Sequence, residues 1–350
     1  MTAGVVLLNF GEPEEASREA VVPYLERIFL SNMSLEGDMT EEEAHERART
    51  LAERRAPGLL EEYDEVGGGS PLIPQAREQA ASLETALEAR GHDVETYIGM
   101  QYTEPFIEDA VAAAADDAVD PLIGLPVYPL CGQTTTVESL QMAADAAEGL
   151  DTVVDLREIA GWHRLPSYEA LRAGNLAAFA DEEGVTLDGD DALLLFSAHG
   201  TPMEYLGDDG VRYERYVEEH CAAIADRIGV DDYRIGYQNH ENRDVAWTEP
   251  ETEDVVKEAA ATFDDVVVEP ISFLHEQSET LSELDVELQE ECEEAGIGYH
   301  RVPVPHDHPD LGGVLADLVE PFVVGDPLEE GFAQCQCRDA PGTLCLNGDD

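Results

Sequence analysis

Two apolar strand segments, one opening each half of the chain, constrain its fold more than any other feature. Val5–Asn9 (VVLLN) runs into Phe10-Gly11-Glu12-Pro13, and Ala192–Ser197 (ALLLFS) runs into His199-Gly200. Unbroken apolar runs of this length suit strands covered on both faces, as in parallel sheets flanked by helices. After each run, helix and strand patterns alternate. The first half places helices at Ser17–Phe29, Thr40–Arg55, Gln75–Arg90 and Glu104–Ala115, and strands at Asp93–Ile98 and Pro121–Tyr128. The second half places helices at Tyr213–Ile228, Thr252–Thr262, Ser278–Ala295 and Leu311–Val323, and strands at Tyr233–Gln238, Val266–Ile271 and Gly298–Val304. The alternation predicts an α/β protein of two doubly wound domains, with parallel sheets facing a central cleft. The domains are expected over 1–160 and 161–323, with a Cys-containing tail over 324–350. In such sheets ligands bind at the carboxyl ends of the strands.

The surface implied by the composition is extreme. There are 78 acidic against 19 basic residues, a net charge of −59, and only one lysine, Lys257. High charge by itself suggests disorder, but here the acids interleave with periodic apolar residues, and 43 % of the chain is hydrophobic. The simplest reading is a folded protein of a very salty cytoplasm, where at ~1 M salt the Debye length falls to about 3 Å and carboxylates barely repel. Such a charge argues against nucleic acid and anionic membranes as partners. The longest apolar stretches, Val111–Ala115 and Leu122–Leu130, fall far short of the ~20 residues of a membrane span. Met1–Phe10 lacks the basic start of a signal peptide. The expectation is a cytoplasmic protein without stable membrane insertion, a monomer or weak dimer. Six cysteines make no disulfide framework, yet Cys335, Cys337 and Cys345 crowd the C-terminal end.

Several segments carry chemistry. Ser197-Ala198-His199-Gly200-Thr201-Pro202 sets an imidazole at a strand end, fit to act as a base or metal ligand. Its plain alternative is a loop histidine bonded to backbone. Glu279, Glu283 and Glu287 repeat every four residues, with Leu281, Leu284 and Leu288 between them. Like charges at this spacing repel, so a carboxylate line suits passing cations, although any helix face can be acidic in so acidic a chain. His275 lies just upstream, and together these groups suggest a divalent-metal site with open positions. Arg54 and Arg55 stand out in a chain poor in bases, and Gly67-Gly68-Gly69 offers backbone amides to an anion.

Taken together, the chain resembles the ferrochelatases, which insert ferrous iron into a porphyrin to make haem. The resemblance spans roughly residues 4–320. It rests on LLNFGEPE (7–14), RRAPGLLEEYDEVGGGSP (54–71), YIGMQY (97–102), SAHGTP (197–202), the Gln238…Trp247…Pro250…Thr252 frame and FLHEQSETLSELDVE (273–287). It implies two Rossmann-like domains with the porphyrin between them, and Fe2+ as the second substrate. By the same resemblance His199 and Glu279 are the catalytic pair. Glu283 and Glu287 extend the acidic line at the metal, and Arg55, Tyr63, Ser70, Tyr102 and Trp247 meet the porphyrin; His275, counted with the metal group on the residue reading above, is the imidazole nearest to Gln277. The chain departs from the family pattern at Gln277, Gln101 and Gly58, where His, Arg and Lys are common, and at the acidic Glu41-Glu42-Glu43, where members carry an apolar lip. Some members hold a [2Fe–2S] cluster on three C-terminal cysteines and one internal cysteine. Cys335, Cys337 and Cys345 supply the three, and Cys131 in YPLCGQTTT falls near the internal position. The tail is then expected to fold back on the first domain. Cys221 and Cys292 sit on amphipathic helices as structural residues. The charge suggests a halophilic archaeal source. Two other functions remain open: a cobalt or nickel chelatase for a sirohydrochlorin-type tetrapyrrole, and a non-catalytic haem or iron–sulfur sensor.

Overall fold

Each apolar run becomes an interior strand of its own sheet. The computed structural model describes residues 2–33, 37, 39–187, 189, 191–206, 212–238 and 245–347. The first half runs β1 (Ala3–Asn9), α1 (Arg18–Ser31), α2 (Glu41–Glu65), α3 (Leu72–Ala89), β2 (Val94–Met100), α4 (Ile107–Asp116), β3 (Leu122–Pro126), α5 (Glu138–Glu148) and β4 (Leu156–Ile159). The second runs α6 (Pro166–Glu183), β5 (Ala192–His199), α7 (Tyr213–Ile228), β6 (Tyr233–Gln238), α8 (Thr252–Ala259), β7 (Asp265–Pro270), α9 (Ser278–Leu281), α10 (Gln289–Ala295), β8 (Gly298–Arg301) and α11 (Leu311–Val324). Two short strands, β9 (Ala333–Gln334) and β10 (Thr343–Cys345), lie in the tail.

One sheet has the order β2-β1-β3-β4-β10-β9 and the other β6-β5-β7-β8. All neighbours pair in parallel except β9 with β10. Every residue of β1 is buried, which explains its apolar run from Ala3 to Leu8, before the buried polar Asn9. The two sheets share a core. Val6 and Leu8 of β1, Val217 and Ile224 of α7, and Leu194 and Phe196 of β5 belong to one apolar cluster. α11 crosses back to the first sheet, where Leu315 and Val319 join Leu83 and Leu87 of α3. Among the described residues no helix is long and apolar enough to cross a membrane.

Three local outcomes differ from the sequence expectations. The helix expected to stop at Arg55 continues through Pro57 to Glu65. Interior proline costs a hydrogen bond, but Pro57 lies on the exposed side, while Ala56, Leu59 and Tyr63 bury the opposite side. The helix expected over Ser278–Ala295 is interrupted by a π-helical stretch, Glu283–Leu288, between α9 and α10. Finally, α5, β4 and α6 had not been expected at all.

Candidate active site

A cavity of about 850 Å³ opens where the carboxyl ends of β1, β3 and β5 meet α1 and α2. Its size is in the range of small-molecule sites. β5 delivers His199 to its wall. The His199 ring donates from Nδ1 to the Gly200 carbonyl at 2.6 Å. A carbonyl can only accept, so Nδ1 carries the hydrogen, and Nε2 holds the lone pair in the neutral imidazole. Nε2 lies 3.9 Å from Glu279 Oε1. The backbone of His199 is fixed by its N–H donating to Ser272 Oγ at 3.0 Å.

The Glu279 carboxylate accepts from Gln277 Nε2 at 2.7 Å and from the Ser278 hydroxyl at 3.1 Å. Glu283 lines the same cavity and accepts from Gln238 Nε2 at 2.9 Å. The same Gln238 nitrogen donates to the Glu279 carbonyl, tying β6 to the acidic segment. Glu287 is exposed and lies outside the lining. The π stretch is what re-aims this line of acids: the Glu287 N–H donates to the Ser282 carbonyl, five residues back, at 3.0 Å. A second π turn, Gln133–Val137, forms the opposite wall.

The sequence reading missed Glu12, which also lines the cavity yet is only 2 % exposed. Its carboxyl accepts from Tyr63 Oη at 3.3 Å and from the Ser278 N–H at 3.1 Å, and it also bonds the Ser278 hydroxyl. Ser278 thus bridges Glu12 and Glu279. Burial, then the neighbouring Glu279 charge, push the Glu12 carboxyl up to about 7, against hydrogen bonds from Ser278 and Ser70. Tyr63 and Ser70, two of the three hydroxyls that the resemblance assigns to porphyrin, therefore face a carboxyl of the chain itself, and neither lines the cavity. Nor does the glycine loop offer its amides to a ligand as expected. Gly68 donates to the Tyr63 carbonyl and Ser70 to the Pro13 carbonyl. A Cβ on Gly69 would sit 2.1 Å from the Glu14 carbonyl oxygen at φ +156°, so this position requires glycine. The loop clamps the segment that carries Glu12.

Arg55 and Trp247 line the cavity. The Arg55 guanidinium is held by Glu62 through bonds of 2.8 and 3.0 Å. Arg47 and Arg54, from the same helix, line it too. Tyr102 is buried behind the lining, 4.6 Å from Phe10 between ring centres, and reaches Glu138 at 3.2 Å. His275 is not brought to the cavity: it is 1 % exposed, and burial beside His306 pushes its imidazole down to about 3.

Of the four cysteines expected to hold a cluster, Cys131 of the first half and Cys335 and Cys337 of the tail come together. Ligand atoms of Cys131, Cys335 and Cys337 lie within 4.8 Å of one another. The fourth, Cys345, is a buried thiol with a side-chain hydrogen bond to Cys335. Bonds to Cys131 and Cys337 hold the Cys335 thiol below its ordinary range, while the bond to Cys335 pushes Cys131 up. The tail is anchored by β10 on β4 and by buried Arg338, which bonds Glu158 and Thr343. Four clustered sulfurs, three of them buried, match the donor set of an iron–sulfur cluster. Cys221 and Cys292 are buried in helix packing.

Comparison with known proteins follows the same lines. The family model "Ferrochelatase" matches residues 2–322. Ferrochelatase of Gloeothece citriformis is 35 % identical over 327 residues, covering 90 % of this chain and 81 % of that one. Ferrochelatase of Synechococcus elongatus is 35 % identical over 329 residues, covering 91 % and 81 %. Among solved structures, SirB from Bacillus subtilis with Fe3+ superposes with a TM-score of 0.56 at 12 % identity, covering 94 % of this chain and 98 % of that one. CbiX, the terminal enzyme for biosynthesis of sirohaem in denitrifying bacteria, gives 0.50 at 15 %, covering 91 % and 98 %. The structural likenesses show a shared chelatase fold, and the sequence matches show more: the chain belongs to the ferrochelatase family.

Proposed function

We infer that this enzyme, which inserts Fe2+ into a porphyrin to form haem, works through His199 and Glu279 on the cavity wall. The observation that carries the assignment is the geometry of His199: Nδ1 is turned to the Gly200 carbonyl, and Nε2 faces the Glu279 carboxylate at 3.9 Å. Insertion releases two pyrrole protons and exchanges the water around iron for four ring nitrogens. His199 Nε2 accepts a pyrrole proton, and Glu279 stabilises the imidazolium that forms. Glu279 and Glu283 escort the incoming cation, with Glu287 at the exposed end of the line. Arg55, with Arg47 and Arg54, meets the propionates, and Trp247 meets the macrocycle. Tyr63 and Ser70 act through Glu12, and Tyr102 acts through Phe10. His275, buried away from the cavity, takes no part in the chemistry.

The porphyrin is protoporphyrin IX or coproporphyrin III. A sirohydrochlorin-type substrate, richer in carboxylates, fits less well, because Arg47, Arg54 and Arg55 are the only guanidiniums among the described lining residues. Cys131, Cys335, Cys337 and Cys345 are proposed to hold a [2Fe–2S] cluster, which when bound supplies a one-electron redox centre. The two doubly wound halves, 1–160 and 161–323, are proposed to act from either side of the cavity, in a monomer or weak dimer of a halophile's cytoplasm. The test is His199→Ala, which should lower insertion by about 10²–10⁴-fold with porphyrin binding kept. Near-normal turnover would move the base elsewhere.

A further inference from the structure

Among the described residues, one hydroxyl of the second half reaches the four-cysteine group. Tyr216 lies in α7, is 3 % exposed, and its Oη is 3.3 Å from Cys337 Sγ. The other supports of the group come from the first sheet and the tail: β10 on β4, and Arg338 on Glu158. Cys337 is also the least buried of the four cysteines. The Tyr216 ring is fixed from the far side by His163, 5.3 Å away between ring centres.

We propose that Tyr216 is a positioning residue for Cys337, holding its sulfur and setting the reduction potential of the cluster bound there. The proposal rests on the cluster assignment made above. A sulfur that ligates iron is a thiolate with no proton to give, so the Tyr216 O–H must donate. Hydrogen bonds to cluster sulfurs are one of the factors that set the potential. The reduced state carries one more electron, so its sulfurs are the more negative and gain more from a donor. Tyr216 therefore favours reduction. In the one-electron step the electron comes from an added reductant such as dithionite and enters the cluster, and the donor bond is strengthened without transfer of its proton.

The experiment compares full-length wild type with Tyr216→Phe, purified anaerobically in high salt. Iron and sulfide are analysed, and the potential is titrated by visible absorbance and electron paramagnetic resonance. The expected result is a cluster in both, with the ratio of reduced to oxidised cluster at the wild-type midpoint falling about tenfold in the variant, a shift of about 59 mV to the negative for a one-electron couple. An unchanged midpoint overturns the inference and leaves the cluster assignment standing. Absence of iron and sulfide from the wild type overturns both. If Tyr216→Phe folds but loses the cluster, wild-type protein grown on 3-fluorotyrosine decides the matter. Its hydroxyl is the stronger donor, so the midpoint must move positive, and a midpoint that does not move overturns the inference.

Discussion

Glu12 and Glu279 meet at the Ser278 hydroxyl, and the protein cannot comfortably keep both ionised. Burial and the Glu279 charge raise Glu12 to about 7, above the ordinary 4.5 of a glutamate. A carboxyl raised on folding favours the native state below pH ~4.5, and that contribution is lost as pH climbs through ~7, a change on the order of 3 kcal/mol. Glu12→Gln keeps the shape and can still accept from Tyr63 and Ser278. It should therefore raise the melting temperature at pH 8 and change it little at pH 5. An equal effect at both values would contradict the raised carboxyl. Glu12 follows the first apolar strand in the sequence, but nothing there separates a carboxyl that becomes buried from the other acids among 78. It acquires its character only when the glycine loop presses its segment against α9. His199 was legible because a polar residue closes an apolar strand, and that rule holds before any tertiary contact is known.

At the scale of elements, the strands with long β-branched runs were plain, and the interruptions were not. A π stretch has the same composition as an α-helix and differs only in which carbonyl accepts each N–H, so Glu283–Leu288 gave no signal. Strands of two and three residues, β9 and β10, are too short for any period to appear. The convergence of Cys131 with the tail depends on β10 pairing with β4, a contact between residues nearly two hundred positions apart. That pairing and buried Arg338 hold the tail independently of the sulfurs. Cys131→Ser should consequently abolish bound iron and sulfide while leaving the circular dichroism of the fold close to wild type. Retention of the full cluster would exclude Cys131 as a ligand. A collapse of the fold would mean that the cluster, rather than β10 and Arg338, fixes the tail.

Across the whole molecule the charge of −59 sets the conditions under which any of this can be observed. Buried ion pairs such as Arg172–Glu269 neutralise only a few of the acids, and most lie on the surface. Screening lengthens from about 3 Å at 1 M salt to about 10 Å at 0.1 M. Melting temperature should therefore fall steeply as KCl drops below about 0.5 M, where screening no longer separates neighbouring carboxylates. A melting temperature independent of KCl would contradict the halophilic reading. The His199–Glu279 pair is proposed to carry iron insertion. The most direct measurement is the anaerobic rate of Fe2+ insertion into protoporphyrin and coproporphyrin in high salt, followed by porphyrin absorbance at saturating porphyrin. The wild type should convert at least one of them, and His199→Ala and Glu279→Gln should each bind porphyrin but lose insertion by about 10²-fold or more. Wild-type protein inert toward both porphyrins, or variants that insert iron as fast as it does, would contradict the account.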